Sequence, residues 1–375
     1  MTRRALATLL LVVLGATGCG ITGSAKIDGP VAVYVSLPLT GPRGSLGQDA
    51  ADGARLALEQ AHGTAGSVQV RAHFLDDARG KAWDPVAVGA NARGAVQDSS
   101  AAAYIGELDS EPTRASAPIT NQAGMAQVSP GAGAVDLTAP AAGYPDSPDR
   151  YRPSGDVNFA RTVPSDDVVI DAAASWAAEL GVTSAAVTSD GSPFQNLAAS
   201  AFKSAAAEHG IQVSPGNPPR KVAVASGGGP RAVYEPGSST LTIYGKAPET
   251  LQLSAELDPK RLPGKQPFQR QFARRYHRAP GPYAAYGYEA MALVLQAIGG
   301  AGTDASSFRD HVREGVIGAH RDGTVLGSYS ITSEGDTTEC MIQRYRVETA
   351  ATIAPGVGRP NAKLWVPLGA PCPPQ

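Results

Sequence analysis

Apolar runs and amphipathic stretches alternate from Val31 to Pro130, and this alternation limits the fold more than any other feature of the chain. VAVYVS (Val31–Ser36) is apolar at nearly every position, as a parallel strand buried on both faces requires. The next regular piece, AADGARLALEQA, sets Ala50, Ala54, Ala57, Leu58 and Ala61 on one face at helical spacing. SVQVRAHFLDD (67–77) alternates Val68, Val70, Ala72 and Phe74, the pattern of a strand nearer a sheet edge. Asp84-Pro85 opens a second helix carrying Val86, Ala90 and Val96. AAAYIG (101–106) predicts a strand, TRASAPITNQAG a helix closed by Gly124, and MAQVSP (125–130) a further strand. Such strand–helix alternation specifies an α/β fold with a parallel, doubly wound sheet and right-handed crossovers.

The pattern breaks at APAAGYPDSPDRYRPSGDV (139–157), which reads as a Pro-rich surface loop before a change of lobe. A second α/β unit follows. Ser165 caps a helix with Asp166 and Asp167 in its first turn and Val169, Ala172, Ala173 and Trp176 as its inner face. TSAAVTS predicts a strand, Gln195–His209 a helix and IQV a short strand. From Ser214 to Ser239 only KVAVAS suggests a strand, and that stretch is shorter than the roughly thirty residues of one βαβ unit. Pattern returns at TLTIYG, at a helix around Phe268, Phe272 and Tyr276, and at YAAYGYEAMALVLQAI (283–298). SYSITSEGDTTECMIQRYRV predicts a hairpin about Glu334-Gly335-Asp336.

The N-terminus, MTRRALATLLLVVLGATGCG, sets the compartment. Arg3 and Arg4 precede an apolar core too short for a mature membrane span, and small residues lead to Cys19, so residues 1–18 read as a secretory signal. ATGC resembles the bacterial lipoprotein signal, in which the cysteine is acylated and becomes the new N-terminus; the other reading is an ordinary signal cut after Gly18. Of the three cysteines, Cys340 and Cys372 can pair in an oxidising compartment, leaving Cys19 for the lipid. Diacylation supplies the two chains that stable anchoring to the membrane needs. A net charge of −2 with no run of Lys or Arg speaks against nucleic acid.

The loop SLPLTGPRGSLGQD (Ser36–Asp49) is longer than a strand-to-helix turn needs and is rich in Gly, Ser and Thr. It lies beyond the carboxyl end of a strand, where open α/β sheets bind ligands. ELDSEPT adds Ser110 at another helix start, and SPGAG adds backbone at Gly131, Ala132 and Gly133. The chain carries no G-x-S-x-G, P-loop or H-E-x-x-H pattern, its six histidines are scattered, and Asp76-Asp77 is a strand-end pair before it is a catalytic dyad. These features imply neither an enzyme, a cofactor nor a metal.

In order along the chain, SLPLTGP…G…DGARLALE, LDD, YIGELDS, QVSPGAG, FARTVPSDD and YAAYGYEAMALVLQAI resemble the type I periplasmic binding proteins. Within these the chain is most similar to the branched-chain amino-acid (Leu/Ile/Val) binding lipoproteins that feed ABC importers. The resemblance implies two Rossmann-like lobes joined by three crossing strands, with ligand between them. Residues 19–29 would then be a lipid-anchored linker, 30–158 plus 246–318 the first lobe, and 159–245 plus 319–375 the second. The crossings fall near Asn158, Ile243 and Gly327. Ligand contacts carry over to Leu46, Ser110, Gly131, Ala132, Gly133 and Phe194.

Three of these positions depart from the family. Leu46 replaces an aromatic residue, Gly133 a hydroxyl residue that binds the ligand carboxylate, and Phe194 a tyrosine. Ser214–Ser239 also lacks room for the strand and helix that carry the family's ammonium-binding acid, so the second lobe is expected to be truncated. The implied function is an extracytoplasmic solute receptor, anchored on the outer face of the cell membrane, passing an amino acid or similar metabolite to an ABC permease. The alternative is a degenerate binding-protein-like lipoprotein acting as a sensor or envelope interaction protein.

Overall fold

The computed structural model describes residues 26–179, 183–188, 193–213, 221–223, 240–244, 250–254, 258–349 and 363–369. Cys19, Cys372 and the expected signal segment lie outside them.

The first lobe is built as its hydrophobic pattern requires. Strands β1 (Val31–Leu37), β2 (Thr64–Ala65), β3 (Val68–Asp76), β4 (Ala101–Ile105), β5 (Ala126–Ser129) and β6 (Phe159–Arg161) form one sheet in the order β2-β3-β1-β4-β5-β6. Every neighbouring pair is parallel except β2–β3. Helices α1 (Gly44–Gln60), α2 (Pro85–Gln97) and α3 (Ser110–Gln122) connect successive strands. Alternation along β1 sorts the two faces. Val31, Val33, Val35 and Leu37 join the main core, while Ala32 and Tyr34 join a smaller cluster with Ala92, Ala95, Tyr104 and Met125.

A change of lobe follows β6. Helix α4 (Asp166–Glu179) buries the expected Val169, Ala172, Ala173 and Trp176. Strand β7 (Ser184–Thr188), helix α5 (Pro193–Glu208) and strands β8 (Gln212–Val213), β9 (Lys221–Ala223), β10 (Thr240–Tyr244) and β11 (Thr250–Ser254) come next. The chain then returns to the first lobe through α6 (Lys265–Tyr276), α7 (Ala284–Gly300), α8 (Phe308–Val316) and the hairpin β12 (His320–Thr324)–β13 (Gly327–Ser330). It ends in the second sheet with β14 (Gln343–Thr349) and β15 (Lys363–Gly369).

Helices α1 and α7 cross at glycine contacts made from both sides. A Cβ on Gly53 would lie 1.9 Å from the Ala284 carbonyl oxygen, and one on Gly287 would lie 2.0 Å from that of Ala50. The absence of side chains at this crossing lets α7, whose inner face includes Tyr286, Met291, Leu293 and Val294, bury itself against α1 and the sheet.

Four expectations are corrected. Residues read as loop up to Asp49 are helix from Gly44, because Gly47 fits its first turns against the Pro38 backbone. The second sheet, ordered β15-β14-β11-β10-β9-β7-β8, is not doubly wound and parallel throughout. Only β7–β8 and β7–β9 are parallel, and the remaining pairs are antiparallel. The hairpin about Glu334–Asp336 is no more than an isolated Ile331–Thr337 bridge, because β13 pairs with β12 and β14 with β11 and β15. The crossings move accordingly. Phe159–Arg161 stays in the first sheet and β11 in the second, so the chain changes lobe after Arg161, after Ser254 and after Ser330.

Candidate functional site

In the first sheet the chain runs outward from β1 to β3 and then back across β1 to β4, so connections reverse between β1 and β4. Ligands of open α/β sheets bind at such a switch point, outside the carboxyl ends of the strands. Three connections gather there: residues 38–43 after β1, 106–109 after β4, and 130–134 after β5.

Asp76, the last residue of β3, organises the first connection. Its carboxylate accepts the Leu39 N–H (2.9 Å), the Thr40 hydroxyl (2.6 Å) and the N–H groups of Ala78 and Arg79 (3.1 Å each). Burial pushes its pKa up, but these bonds outweigh it and hold the group below its ordinary value. The Thr40 hydroxyl also accepts the Gly80 N–H, so it is spent on the loop itself.

The second connection rests on a buried polar network. Glu107 accepts the hydroxyls of Tyr104 and Ser116, and its main-chain oxygen accepts that of Ser129. Gln127 donates to the Gly106 carbonyl (2.9 Å) and to Ser116 Oγ (2.8 Å). Burial raises Glu107 to about 7 despite its bonds from Ser116, Tyr104 and Ser36. Asp109 is raised by burial to about 6, with Arg43 pulling it down. The Arg43 guanidinium reaches across from the first connection, donates from Nη2 to one oxygen of that carboxylate at 2.7 Å, and forms an ion pair in which Nε lies 2.7 Å from the other oxygen.

The structure brings Ser110 and the third connection together. Ser110 is the first residue of α3, and Asp109 rather than Ser110 is its N-cap. The Ser110 hydroxyl oxygen accepts the Ala134 N–H at 3.1 Å. Gly131 and Ala132 are buried, and their N–H groups bond inward to Ser129 Oγ at 3.2 and 2.8 Å. A Cβ on Gly131 would meet the Leu108 carbonyl oxygen at 2.4 Å, so glycine is required there. The carbonyl of Gly133 accepts the Asp166 N–H (2.8 Å), which joins this turn to the start of α4. Arg161, fully buried, donates to the carbonyls of Ala132 and Ala134 (3.0 Å each) and to Asp336 (2.7 Å). One guanidinium thus ties the turn to the chain's last passage between lobes.

The other expected positions stand on other elements. Leu46 lies in the first turn of α1 and packs partly against the core. Phe194 lies in the first turn of α5. The Pro-rich segment 139–157 approaches that helix start, where a Cβ on Gly143 would be 3.4 Å from Pro193 Cβ. Among the described residues no group of His, Cys, Asp and Glu side chains could hold a metal ion.

A family model described as periplasmic binding protein matches residues 30–223, just over half of the chain. The chain belongs to the periplasmic binding protein family. The match takes in the whole first sheet and runs through β9, so the three connections of the site lie within it. Solved structures agree on the fold. An ABC transporter substrate-binding protein from Desulfitobacterium hafniense in complex with Leu is similar at 18% identity and TM-score 0.62, over 90% of this chain and 100% of that one. A leucine-binding protein from Thermotoga maritima is similar at 18% identity and TM-score 0.61, over 89% and 97%. A solute-binding protein from R. palustris in complex with benzoate is similar at 17% identity and TM-score 0.62, over 92% and 98%. No curated protein matches in sequence.

The sequence reading missed the Arg43–Asp109 pair and Arg161, and it placed Asp77 at a strand end without its burial. An arginine inside a Gly- and Ser-rich strand-end loop, and an aspartate directly before a helix, were the available signals for the first.

Proposed function

We propose that this periplasmic binding protein captures a small carboxylate-bearing solute between its lobes and presents it to an ABC permease. One observation carries this reading: Ser110 and the N-terminus of α3 stand at the switch point of the first sheet, beside the Gly131–Ala134 turn. A helix N-terminus with an adjacent hydroxyl favours a carboxylate. The leucine and benzoate complexes of structurally similar proteins support this class, since both molecules carry that group. Leu46, Gly133 and Phe194 remain ligand contacts in this proposal. We place the protein outside the cytoplasm, acylated at Cys19 and closed at its C-terminal end by a Cys340–Cys372 disulfide. Cys340, which is not a free thiol, supports the bond; two reactive thiols in the denatured, unreduced protein would exclude it.

A second reading, a binding-protein-like lipoprotein that senses or docks without transport, is favoured by the second lobe. Strand β10 pairs antiparallel with β9. A βαβ crossover would have made that pair parallel. We read this as the expected truncation. Thermal-shift screening of delipidated protein against amino acids and aromatic carboxylates tests the first reading, because a ligand of the native state raises the melting temperature. A protein that responds to none of them favours the second.

A further inference from the structure

Two aspartates stand at helix N-caps on the first sheet, and they behave differently. Asp84 precedes α2 with φ −125° and ψ 116°, and its carboxylate accepts the N–H groups of Val86 (2.9 Å) and Ala87 (3.1 Å). Asp109 precedes α3 with φ −110° and ψ 156°, the same extended region, yet its side chain makes no cap bond. Instead it pairs with Arg43, one oxygen accepting from Nη2 and the other lying 2.7 Å from Nε. Arg43 is itself the N-cap residue of α1, so the ion pair joins the starts of two helices across the switch point between β1 and β4. The pair is largely withdrawn from solvent, with side chains 16% and 12% exposed, so water screens it little.

An aspartate in this position normally turns onto the second or third N–H of its helix, as Asp84 does. In α3 the third residue is Pro112, which has no N–H, so Glu111 N–H is the donor that Asp109 would take. That would place a full negative charge next to Ser110, at the end of the helix that suits an anion.

We propose that Arg43 is a positioning residue for this site: it draws the Asp109 carboxylate off the α3 N-terminus and neutralises it, leaving that end and the Ser110 hydroxyl to the carboxylate of the solute. This rests on the reading that the first lobe takes a carboxylate. Arg43 acts through Asp109 and need not touch the ligand.

The test is calorimetric titration of wild type, Arg43→Ala, Asp109→Asn, Arg43→Ala/Asp109→Asn and Ser110→Ala with L-leucine and with benzoate. Titrated at about pH 9, well above the value of about 6 to which burial raises Asp109, Arg43→Ala is expected to weaken binding by about tenfold or more, because the carboxylate released from Arg43 is ionised there and opposes the ligand. The double variant is expected to recover most of that loss, which a merely structural role for Arg43 would not produce. Asp109→Asn alone, which keeps the arginine, is expected to bind at least as tightly as wild type, and it decides the matter even if Arg43→Ala does not fold. A double variant as weak as Arg43→Ala, or an Asp109→Asn variant that binds tenfold more weakly, would overturn the proposal. Full binding in Arg43→Ala beside lost binding in Ser110→Ala would overturn it while leaving the site reading intact. A wild type that binds neither probe, with no change in any variant, would overturn the site reading and the proposal with it.

Discussion

Asp77 is 1% exposed, and neither of its carboxyl oxygens has a hydrogen-bond partner among the described residues. Burial, and then the charges of Glu107, Asp109 and Asp76, push it up to about 9. The folded protein therefore holds a proton there that the unfolded chain, at the ordinary 3.8, releases. Glu107, raised to about 7, and Glu339, raised by burial to about 8, act in the same direction. Because the native state binds more protons than the unfolded one, these groups stabilise fully below about pH 4, and their contribution declines as pH rises toward 9. Asp77→Asn imitates the protonated carboxyl, so it should raise the melting temperature at pH 8 and flatten its fall between pH 5 and 9. Melting curves across that range check this, and an unchanged slope counts against a protonated Asp77. Ser110 is the residue through which a bound carboxylate would be held. Removing its hydroxyl should cost about 1.5–3 kcal/mol of ligand binding, or roughly tenfold or more in affinity. Titration of Ser110→Ala with whichever carboxylate binds wild type reads this directly.

Elements in the first lobe were legible because each carried a period and a punctuation mark. Asp84-Pro85 opened α2 and Gly124, at φ +63°, closed α3, both as read from the chain. The start of α1 was hidden because Gly44 and Gly47 look like loop residues, whereas close approach to the Pro38 backbone is what requires glycine at 47. The mixed pairing of the second sheet was also hidden, since strand direction depends on partners far along the chain: β11 pairs with β14 across some ninety residues. In the candidate site, Ser110 and the glycine turn could be read as helix-start and turn residues, but the Arg43–Asp109 contact could not, because sequence spacing does not reveal which loops meet. Packing between elements yields its own prediction. Gly53→Val would drive a branched side chain into the Ala284 backbone and separate α1 from α7. Overpacking of this kind costs about 1–3 kcal/mol or more, seen as a melting point lower by several degrees. An unaltered melting point would mean that the helices separate at no cost.

At the scale of the whole molecule, the two sheets are joined by three passages of chain, and Arg161 clamps the last of them to the candidate site through Asp336. A two-lobed binding protein traps solute by hinge closure, and a lipid at Cys19 would hold it beside a membrane-embedded permease. Cys19→Ala should therefore release the protein from the membrane fraction and abolish labelling by a fatty-acid analogue; wild type that stays soluble and unlabelled would rule out the anchor. The central claim is that the first lobe recognises a carboxylate. It is tested most directly by calorimetric titration of the delipidated protein with paired probes that differ only in that group, L-leucine against L-leucinamide and benzoate against benzamide. At least one acid is expected to bind, and its amide to bind at least tenfold more weakly. Equal binding of an acid and its amide, or binding of the amides alone, would contradict it.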